Sequence, residues 1–415
     1  MEVVTDRDGR SAKRPGNRKA QIADAAARLF CALGYHRVSM EDIAAAVGVT
    51  GRALYRHFGN KEDLLGHVVS DGVARLEAAV DGLDGHDGAA ALDSITRRLA
   101  SLSSDDRELG VLLQREARHL SPSARADVQA RAMAVGQRVD QTLRHTRPEL
   151  STADSTLLVR SAFGALASPS YHAVALSRTR SESLLHEMAM AVFLSRAVPW
   201  TGEVTTAPRD GDAPDRAAGE GIAPRASRRE MLLSAAIGLF AQRGFSAVRM
   251  EDVGAAVGIA GPSIYQHFAS KSDLLVAALT RGAEWLQFGM SRALQRGATP
   301  GEALERVVRS YVEFVLGHSD LMHLLLNETM YLPEAEQHSL RRVQHDYVAE
   351  WVRLLLEARP DLSEPEARFL THGVLGIVND NVQGGAERVH PQLDGILISL
   401  GLEVLVAGDR RDAAS

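Results

Sequence analysis

The sequence predicts an all-α protein made of two tandem modules. Apolar residues recur at helical spacing along most of the 415 residues, and no run of alternating β-branched residues indicates a sheet. In addition, residues 17–65 are repeated 210 positions later at 227–275, where 22 of 49 residues are identical without a gap. A repeat of this length indicates two copies of a whole domain, because solenoid repeats run to roughly 20–50 residues.

Each copy of the repeat predicts three short helices and the start of a fourth. In the first copy, Gly34 is placed to end the first helix. Ser39 and Asp42 form a capping-box pattern that opens the second helix, and Thr50 can cap the third. Three residues, beginning with Gly48, separate the two middle helices. This is the tight turn of a helix-turn-helix, whose second helix can lie in the major groove of DNA.

These motifs resemble the DNA-binding signature of the tetracycline-repressor (TetR) family. Helix-turn-helix spacing alone is a weak signal, because many helical hairpins bind nothing. Here the match extends over about fifty residues and occurs twice, covering 98 of 415 residues; the rest of the chain is assigned by following the family's architecture. The matching segments are 43–50, 54–58 and 61–65 in the first copy and 253–258, 264–268 and 271–275 in the second.

The resemblance implies that part of the signature binds the phosphate backbone. It places Tyr55, His57 and Lys61 there, where a phenol, an imidazole and an ammonium group can donate to phosphate oxygens and fix the register on DNA. The helix that begins at Lys61 would also offer free N–H groups to a phosphate. The alternative is that Tyr55 and His57 only complete a small core.

The third helix of each repeat is expected to contact base edges. Arg52 and Arg56 can bind guanine, and Ala53 can contact a thymine methyl group. An arginine on a helix can also be simply solvated, so that alternative stays open. The predicted DNA-binding residues are Ser39, Thr50, Arg52, Ala53, Tyr55, Arg56, His57 and Lys61 in the first copy, and Ala260, Pro262, Ser263, Tyr265, Gln266, His267 and Lys271 in the second.

The charge is distributed unevenly along the chain. The net charge is −6, yet residues 10–61 carry a local charge of +7 and residues 220–271 one of +2. A basic module on an acidic body is typical of a specific DNA-binding protein. The single cysteine excludes an intramolecular disulfide. Neither a hydrophobic signal core at the amino terminus nor an apolar run of about 20 residues occurs, so we expect a cytoplasmic protein without membrane contact.

More than 120 residues of helical pattern follow each repeat, which is sufficient for a core of its own. Between the halves, a segment with four Pro and four Gly in 28 positions cannot bury enough apolar surface to fold. The predicted domains are a flexible basic arm (1–16), a first helix-turn-helix domain (17–65), a first helical regulatory and dimerisation domain (66–198), a flexible linker (199–226), a second helix-turn-helix domain (227–275), a second regulatory and dimerisation domain (276–408) and a tail (409–415).

The resemblance also implies how the halves pair. Members of the family usually dimerise through their last two helices, which form a four-helix bundle. Here those helices would be 152–167 with 183–197, and 366–382 with 393–406. Both pairs contain small residues that permit close helix approach. We therefore expect a monomeric chain that forms an intramolecular pseudo-dimer, alone or in a higher assembly on DNA; the alternative is that these helices are each domain's own core.

The two bodies differ in composition. Residues 83–150 contain no aromatic residue, whereas the second body is rich in them. Small-molecule pockets are mostly apolar and aromatic with a few polar groups, so the second body is the predicted sensor of a small apolar or amphipathic effector. Aromatic residues at helical spacing can equally form an ordinary core. The predicted pocket lining is Trp285, Phe288, Tyr311, Phe314, His323, Asn327 and Trp351.

The leading functional hypothesis is a transcriptional regulator, most often a repressor in this family, that an effector releases from an imperfectly palindromic operator. Effector binding would change the separation of two reading helices, which must meet half-sites one helical turn apart. One alternative is a DNA-bound architectural protein without an effector. Another is an enzyme with accessory DNA-binding domains, but no phosphate-binding Gly-rich loop, GxSxG or CxxC is present. We predict no catalytic residue, metal site or cofactor.

Overall fold

The computed structural model describes residues 18–82, 88–198, 227–259, 261–295, 299–383, 390 and 392–406, without the side chains of 261, 262 and 383. Every regular element in these ranges is helical, which confirms the predicted fold class. No helix in them has the length and apolarity needed to cross a bilayer. The predicted arm, linker and tail lie outside the described residues.

Within the described ranges, each half contributes nine α-helices in the same order. The first half contains α1 (Arg18–Leu33), α2 (Met40–Ala46), α3 (Gly51–Tyr55), α4 (Lys61–Val80), α5 (Gly88–Asp105), α6 (Leu109–Gln114), α7 (Pro122–Thr146), α8 (Thr152–Ala167) and α9 (Arg178–Phe193). The second half contains α10 (Arg228–Arg243), α11 (Met250–Ala256), α12 (Gly261–Ile264), α13 (Lys271–Leu294), α14 (Pro300–Gly317), α15 (Ser319–Asn327), α16 (Glu334–Ala358), α17 (Glu364–Gln383) and α18 (Leu393–Leu405).

Serine and threonine caps decide where several helices begin. The Ser151 hydroxyl accepts a hydrogen bond from the Asp154 backbone N–H at the start of α8 (3.1 Å). The Thr299 hydroxyl does the same for Glu302 at the start of α14 (3.3 Å). Each such bond satisfies one of the N–H groups that a helix start leaves unpaired, and its loss costs about 1 kcal/mol. These local bonds fix the first residues of α8 and α14.

The chain divides into two compact units, which are described separately. Among the described residues, the smaller unit consists of 18–73 together with 111–128. Its core contains Phe30, Leu54 and Leu64, all fully buried. This unit therefore joins the first helix-turn-helix to a later segment of the same half. The predicted domain limits stay predictions.

The larger unit contains residues 74–110 and all described residues after 128. Within it, α8 and α9 of the first half pack against α17 and α18 of the second half. The closest approach joins Gly164 on α8 and Gly376 on α17. A Cβ atom on Gly164 would lie 2.5 Å from the Gly376 carbonyl oxygen, and a Cβ on Gly376 would overlap the Gly164 carbonyl in turn. The two backbones are therefore in direct contact, and neither position has room for a side chain.

An arginine closes the last helix of each half. The Arg147 guanidinium donates to the carbonyl oxygens of Phe193 (3.0 Å) and Ser195 (2.7 Å) after α9. Arg359, its counterpart in the second half, donates to the Leu405 carbonyl at the end of α18 (3.1 Å). Both arginines satisfy carbonyl groups that a helix end leaves unpaired. The internal repeat therefore continues into the bodies, where the offset between counterparts is two positions longer than in the helix-turn-helix domains. We call this longer offset the body offset.

Two histidines from different halves stack inside the larger unit. The imidazole rings of His172 and His372 lie 4.5 Å apart between centroids. Burial lowers the pKa of His172 to about 2, with His372 and Arg107 adding to the effect. Burial, assisted by Arg368, lowers the pKa of His372 to about 4. Both rings are therefore neutral at neutral pH.

The contact between Gly164 and Gly376 makes a first testable prediction. Gly376→Ala should lower the free energy of unfolding by about 1–3 kcal/mol, because the new methyl group overlaps a backbone carbonyl that cannot move aside. Gly136→Ala is the matched control, since a Cβ at that helical position meets nothing within 4 Å. The control should instead add about 0.5–1 kcal/mol through helix propensity. Urea unfolding of both variants measures this; equal effects would contradict the prediction.

The stacked histidines make a second prediction. The unfolded side chains titrate near pH 6.5, above both folded pKa values. The unfolded state thus binds more protons as the pH falls below 6.5, and stability is lost in that direction. From pH 7 to pH 5, His372 should account for a loss of about 2 kcal/mol.

Urea titrations at both pH values should show a shallower loss for His372→Asn than for the wild type. The exposed His338 provides the control variant, His338→Asn. If the loss of unfolding free energy from pH 7 to pH 5 were the same for His372→Asn as for His338→Asn, His372 would not be the source of that loss.

Candidate nucleic-acid interface

The first helix-turn-helix consists of α2 and α3. At the start of α2, the Ser39 hydroxyl accepts from the Asp42 backbone N–H (3.1 Å), and the Ser39 N–H donates to the Asp42 carboxylate (2.8 Å). The turn passes through Gly48, whose φ of +67° strains any residue with a Cβ. The Thr50 hydroxyl then accepts from the Ala53 N–H at the start of α3 (3.3 Å). Both predicted caps are confirmed.

The outward side of α3 and of the turn that follows it carries the predicted base-reading and phosphate-binding groups. Arg52, Tyr55, Arg56 and His57 are all exposed, and the Tyr55 side chain is half accessible. Leu54, between them, is fully buried and anchors the helix. The exposure of Tyr55 and His57 argues against the alternative that they complete the core. Their contacts with DNA, like those of the exposed Ser39 and Thr50 and the half-buried Ala53, stay predictions.

Lys61 has a structural role that the sequence did not predict. Its ammonium group donates to the backbone carbonyls of Tyr35 and Val38, both at 2.9 Å, and lies 4.3 Å from the centre of the Tyr35 ring. Burial lowers the pKa of Lys61. An ammonium group has three N–H donors, and two of them bind carbonyls here. One N–H donor of Lys61 remains for a phosphate oxygen, and that contact stays a prediction.

The second copy repeats this arrangement. The ammonium of Lys271 donates to the carbonyls of Phe245 (2.7 Å) and Val248 (2.8 Å), and it lies 4.2 Å from the centre of the Phe245 ring. Burial lowers the pKa of Lys271, while Glu328 opposes that effect. The two lysines therefore bind equivalent loops, so this pattern of hydrogen bonds is common to both helix-turn-helix domains.

A buried glutamate completes the arrangement in each copy. The Glu116 carboxylate accepts from the backbone N–H of Tyr35 (3.0 Å), and the Glu328 carboxylate accepts from that of Phe245 (3.3 Å). Both glutamates are almost completely inaccessible to solvent. Arg115 pairs with Glu116 and also donates to the Cys31 carbonyl (2.6 Å).

We refer to the lysine and glutamate of each copy as its backbone latch: Lys61 with Glu116, and Lys271 with Glu328. Both members of each latch bond to backbone atoms of the connection between the first two helices of their own copy. The glutamates were missed because they lie outside the repeat as first recognised. A comparison at the body offset would have found them, since residues 109–120 and 321–332 share five of twelve identities, one of which is this glutamate.

The second helix-turn-helix, α11 and α12, is built differently in detail. Gly254 replaces the alanine of the first copy, and a Cβ there would lie 2.6 Å from the Ile259 carbonyl oxygen. Tyr265 and Gln266 are exposed, while Ser263 and His267 are half-buried. Their DNA contacts stay predictions. Of the remaining predicted residues, Ala260 and the side chain of Pro262 lie outside the described residues.

The residues of the predicted pocket lining lie in different surroundings. On α13, Trp285 and Phe288 are exposed, with accessible fractions of 44% and 64%. By contrast, Trp351 is fully buried, and the hydroxyl of the buried Tyr311 donates to Asn379 (2.7 Å).

The other three predicted lining residues also have partners within the protein. Phe314 is buried, with its ring 5.3 Å from that of His318 between centroids. Asn327 is buried and donates to the carbonyl of the half-buried His323 (3.1 Å). Four of the seven residues are thus buried, two lie on the surface, and a role as a pocket lining stays a prediction: the buried ones are Tyr311, Phe314, Asn327 and Trp351, and the exposed ones are Trp285 and Phe288.

A shallow cavity of about 490 Å³, widely open to solvent, lies between α13 and α16. Apolar side chains meet two amides and two carboxylates around it, a combination suited to an amphipathic molecule. Its lining is Gln287, Met290, Ser291, Leu294, Gln295, Asp346, Tyr347 and Glu350, and none of these was predicted.

The backbone latch makes a testable prediction. Glu328→Ala should lower the free energy of unfolding by about 1–3 kcal/mol, because it leaves the buried Phe245 N–H without an acceptor. Glu328→Gln keeps an acceptor oxygen and should cost less. The exposed Glu313 on α14 provides the surface control, Glu313→Ala. Urea unfolding compares the three variants, and a loss for Glu313→Ala as large as that for Glu328→Ala would contradict the latch.

Comparison with known proteins identifies the same repeated region. The family model described as bacterial regulatory proteins, tetR family, matches residues 22–68 and again 232–278. The model described as tetracyclin repressor-like, C-terminal domain, matches residues 297–383. The two amino-terminal matches coincide with the two helix-turn-helix motifs.

Individual relatives each align with less than half of the chain. The HTH-type transcriptional activator FasR of Mycolicibacterium smegmatis is 29% identical over 160 residues, which cover 39% of this chain and 73% of FasR. A TetR-family transcriptional regulator from Bordetella parapertussis is 21% identical, with coverage of 43% and 94% and a TM-score of 0.41. For the ketosteroid transcriptional regulator KstR2 of Mycobacterium tuberculosis these values are 23%, 45%, 97% and 0.39.

Proposed function

We propose that this chain, which belongs to the tetracycline-repressor family and carries two of its modules in tandem, is a sequence-specific transcriptional repressor. One chain would supply both helix-turn-helix domains that read DNA, which we call the first and the second head. That it is a DNA-binding regulator follows from the family. The proposal concerns how it works: the two halves form a pseudo-dimer on one operator, and a small molecule releases it.

The observation that carries the proposal is the repetition of one outward-facing helix-turn-helix on a single chain. In both copies a tyrosine, Tyr55 or Tyr265, stands half exposed beside a polar residue, Arg56 or Gln266. Specific recognition by this motif requires two such helices at half-sites about one helical turn, roughly 34–36 Å, apart. The packing of α8 and α9 on α17 and α18 supports the idea that one chain meets this requirement.

The operator of such a chain should be an imperfect palindrome. Arg52 and Arg56 in the first head correspond to Pro262 and Gln266 in the second. Arginine pairs best with guanine and glutamine with adenine, so the two half-sites should differ. Selection of bound sequences from random duplexes tests this directly. Perfectly symmetric half-sites among the tightest binders would contradict the proposal.

The cavity between α13 and α16 is our candidate effector site. Met290 and Leu294 supply apolar surface, while Asp346 and Glu350 supply charge at its edge. We propose that an amphipathic effector binds there and lowers affinity for DNA. An operator titration with and without candidate amphipathic compounds would measure this. Release by such a compound would also distinguish the regulator from an architectural protein, which needs no effector.

The direction of regulation is a separate part of the proposal. FasR bears the name of an activator, whereas repression is the commoner outcome when binding blocks a promoter. A reporter driven by the selected operator should fall in activity when the protein is expressed and recover with the effector. Increased activity on expression would replace repression by activation without affecting the DNA-binding model.

The different charges of the heads make a testable prediction. Arg52→Ala with Arg56→Ala should cost about 1–3 kcal/mol of binding free energy for each lost guanine contact and should reduce the salt dependence. Ser263→Ala with Gln266→Ala should cost less, because the second head has a local charge of +2 against +7.

Operator titrations at two salt concentrations would compare these double variants. Arg309→Ala, at an exposed arginine on α14, is the matched charge control and should bind as the wild type does. A larger loss from the second head would overturn the ranking of the heads by charge.

A further inference from the structure

The contact between the two halves is organised around a local two-fold axis. The body offset relates Gly164 to Gly376, and these two glycines contact each other across the interface. In a two-fold contact, if residue i meets j, the counterpart of i meets the counterpart of j. The offset therefore tells which residues would face each other if two first halves, or two second halves, paired in the same way.

One hydrogen bond across the interface can form only between a first half and a second half. The Asn381 side-chain amide donates to the Ser161 hydroxyl (2.9 Å) and to the carbonyl of Ile377 in its own helix (2.8 Å). The counterparts of Asn381 and Ser161 are Pro169 and Gly373. Two first halves would thus set serine against proline, and two second halves would set asparagine against glycine. Neither pairing can form the bond.

Opposite charges also meet across the interface between unlike halves, and like halves would not bring them together. Burial raises the pKa of Asp380, and the nearby guanidinium of Arg160 opposes that rise by favouring the carboxylate. The counterparts of Arg160 and Asp380 are His372 and Ser168. Pairing of two second halves would leave the half-buried Asp380 carboxylate facing a neutral imidazole instead of a guanidinium, which is unfavourable. The exposed Arg160 would lose only a weak attraction in a pair of two first halves.

The packing of side chains at the interface also fits unlike halves better than two first halves. Met188 of α9 is fully buried, and its sulfur atom occupies the space that a Cβ at Gly373 of α17 would need. The counterpart of Gly373 in the first half is Ser161, which has a Cβ. A second copy of the first half would therefore bring a serine against Met188 where the present partner brings a glycine.

We propose that this interface selects unlike halves: the α8–α9 surface is built to bind the α17–α18 surface of the same chain and to disfavour a second copy of itself. The two different reading heads are then an obligatory pair. This goes beyond the pseudo-dimer of the proposed function, because a pseudo-dimer could also have halves that pair equally well with their own kind.

A double-mutant cycle on the full chain tests the match. Ser161→Ala, Asn381→Ala and the double variant are compared by urea unfolding, with protein mass measured by light scattering without DNA. We expect coupling of about fivefold in the folding equilibrium constant between the two positions, of the size of one hydrogen bond. The wild type should show the monomer mass of 44.8 kDa. Absence of coupling, or twice that mass, would overturn the proposal.

A charge exchange provides a second cycle. Arg160→Asp and Asp380→Arg should each destabilise the chain, because each brings two like charges together across the interface, and the double variant should recover most of the loss by restoring opposite charges. Exchange of the exposed pair Glu305 and Arg309 on α14 is the matched control. If the single reversals do not fold, recovery of folding in the double variant is itself the expected result. No recovery would contradict the match at this pair.

These measurements can fail independently of the proposed function. Both use unfolding and mass in the absence of DNA, so failure to find an operator leaves them unaffected. Conversely, a chain that bound its operator as a dimer of like halves would keep its DNA-binding function while refuting the selection of unlike halves.

Discussion

The backbone contact between Gly164 and Gly376 is the constraint on which the larger unit depends. Because neither residue has a Cβ, α8 and α17 approach until each carbonyl meets the other helix. That approach brings Ser161 within hydrogen-bonding distance of Asn381. With any side chain at the crossing, the helices would separate and these polar groups would lose their partners. Close packing and polar specificity are thus consequences of the same two missing side chains.

The two helix-turn-helix domains share one backbone framework but differ in the residues expected to contact bases. The backbone latches bind main-chain atoms, so they tolerate Tyr35 in one head and Phe245 in the other. Their carboxylates come from the segments that follow α6 and α15, far along the chain from the loops they hold. A shift of either segment would therefore move a backbone N–H of the DNA-binding domain directly. This gives the segment after α6 or α15 in each half a defined contact with the helix-turn-helix domain of the same half.

Much of this architecture could be predicted from the sequence where local rules decide it. The caps at Ser39 and Thr50, the turn at Gly48 and the helical fold all follow from residue patterns a few positions apart. The latch could not be found in that way, because Glu116 lies far along the chain from Tyr35 and resembles an ordinary helix residue. The exposure of the aromatic residues on α13 could not be predicted for a related reason. Helical spacing shows that they share faces, but the packing of α13 and α16 decides which face is buried.

The distribution of identities between the two copies fits a chain whose halves have separate tasks. Gly48, Lys61 and the latch glutamate are kept, and all of them build the framework. The positions expected to face bases, such as Arg52 and Arg56, all differ. In a homodimer one substitution changes both half-sites together, whereas in the pseudo-dimer that we propose each half-site could change alone. Unlike halves that select each other would preserve that independence, because neither head could then be replaced by a second copy of its partner.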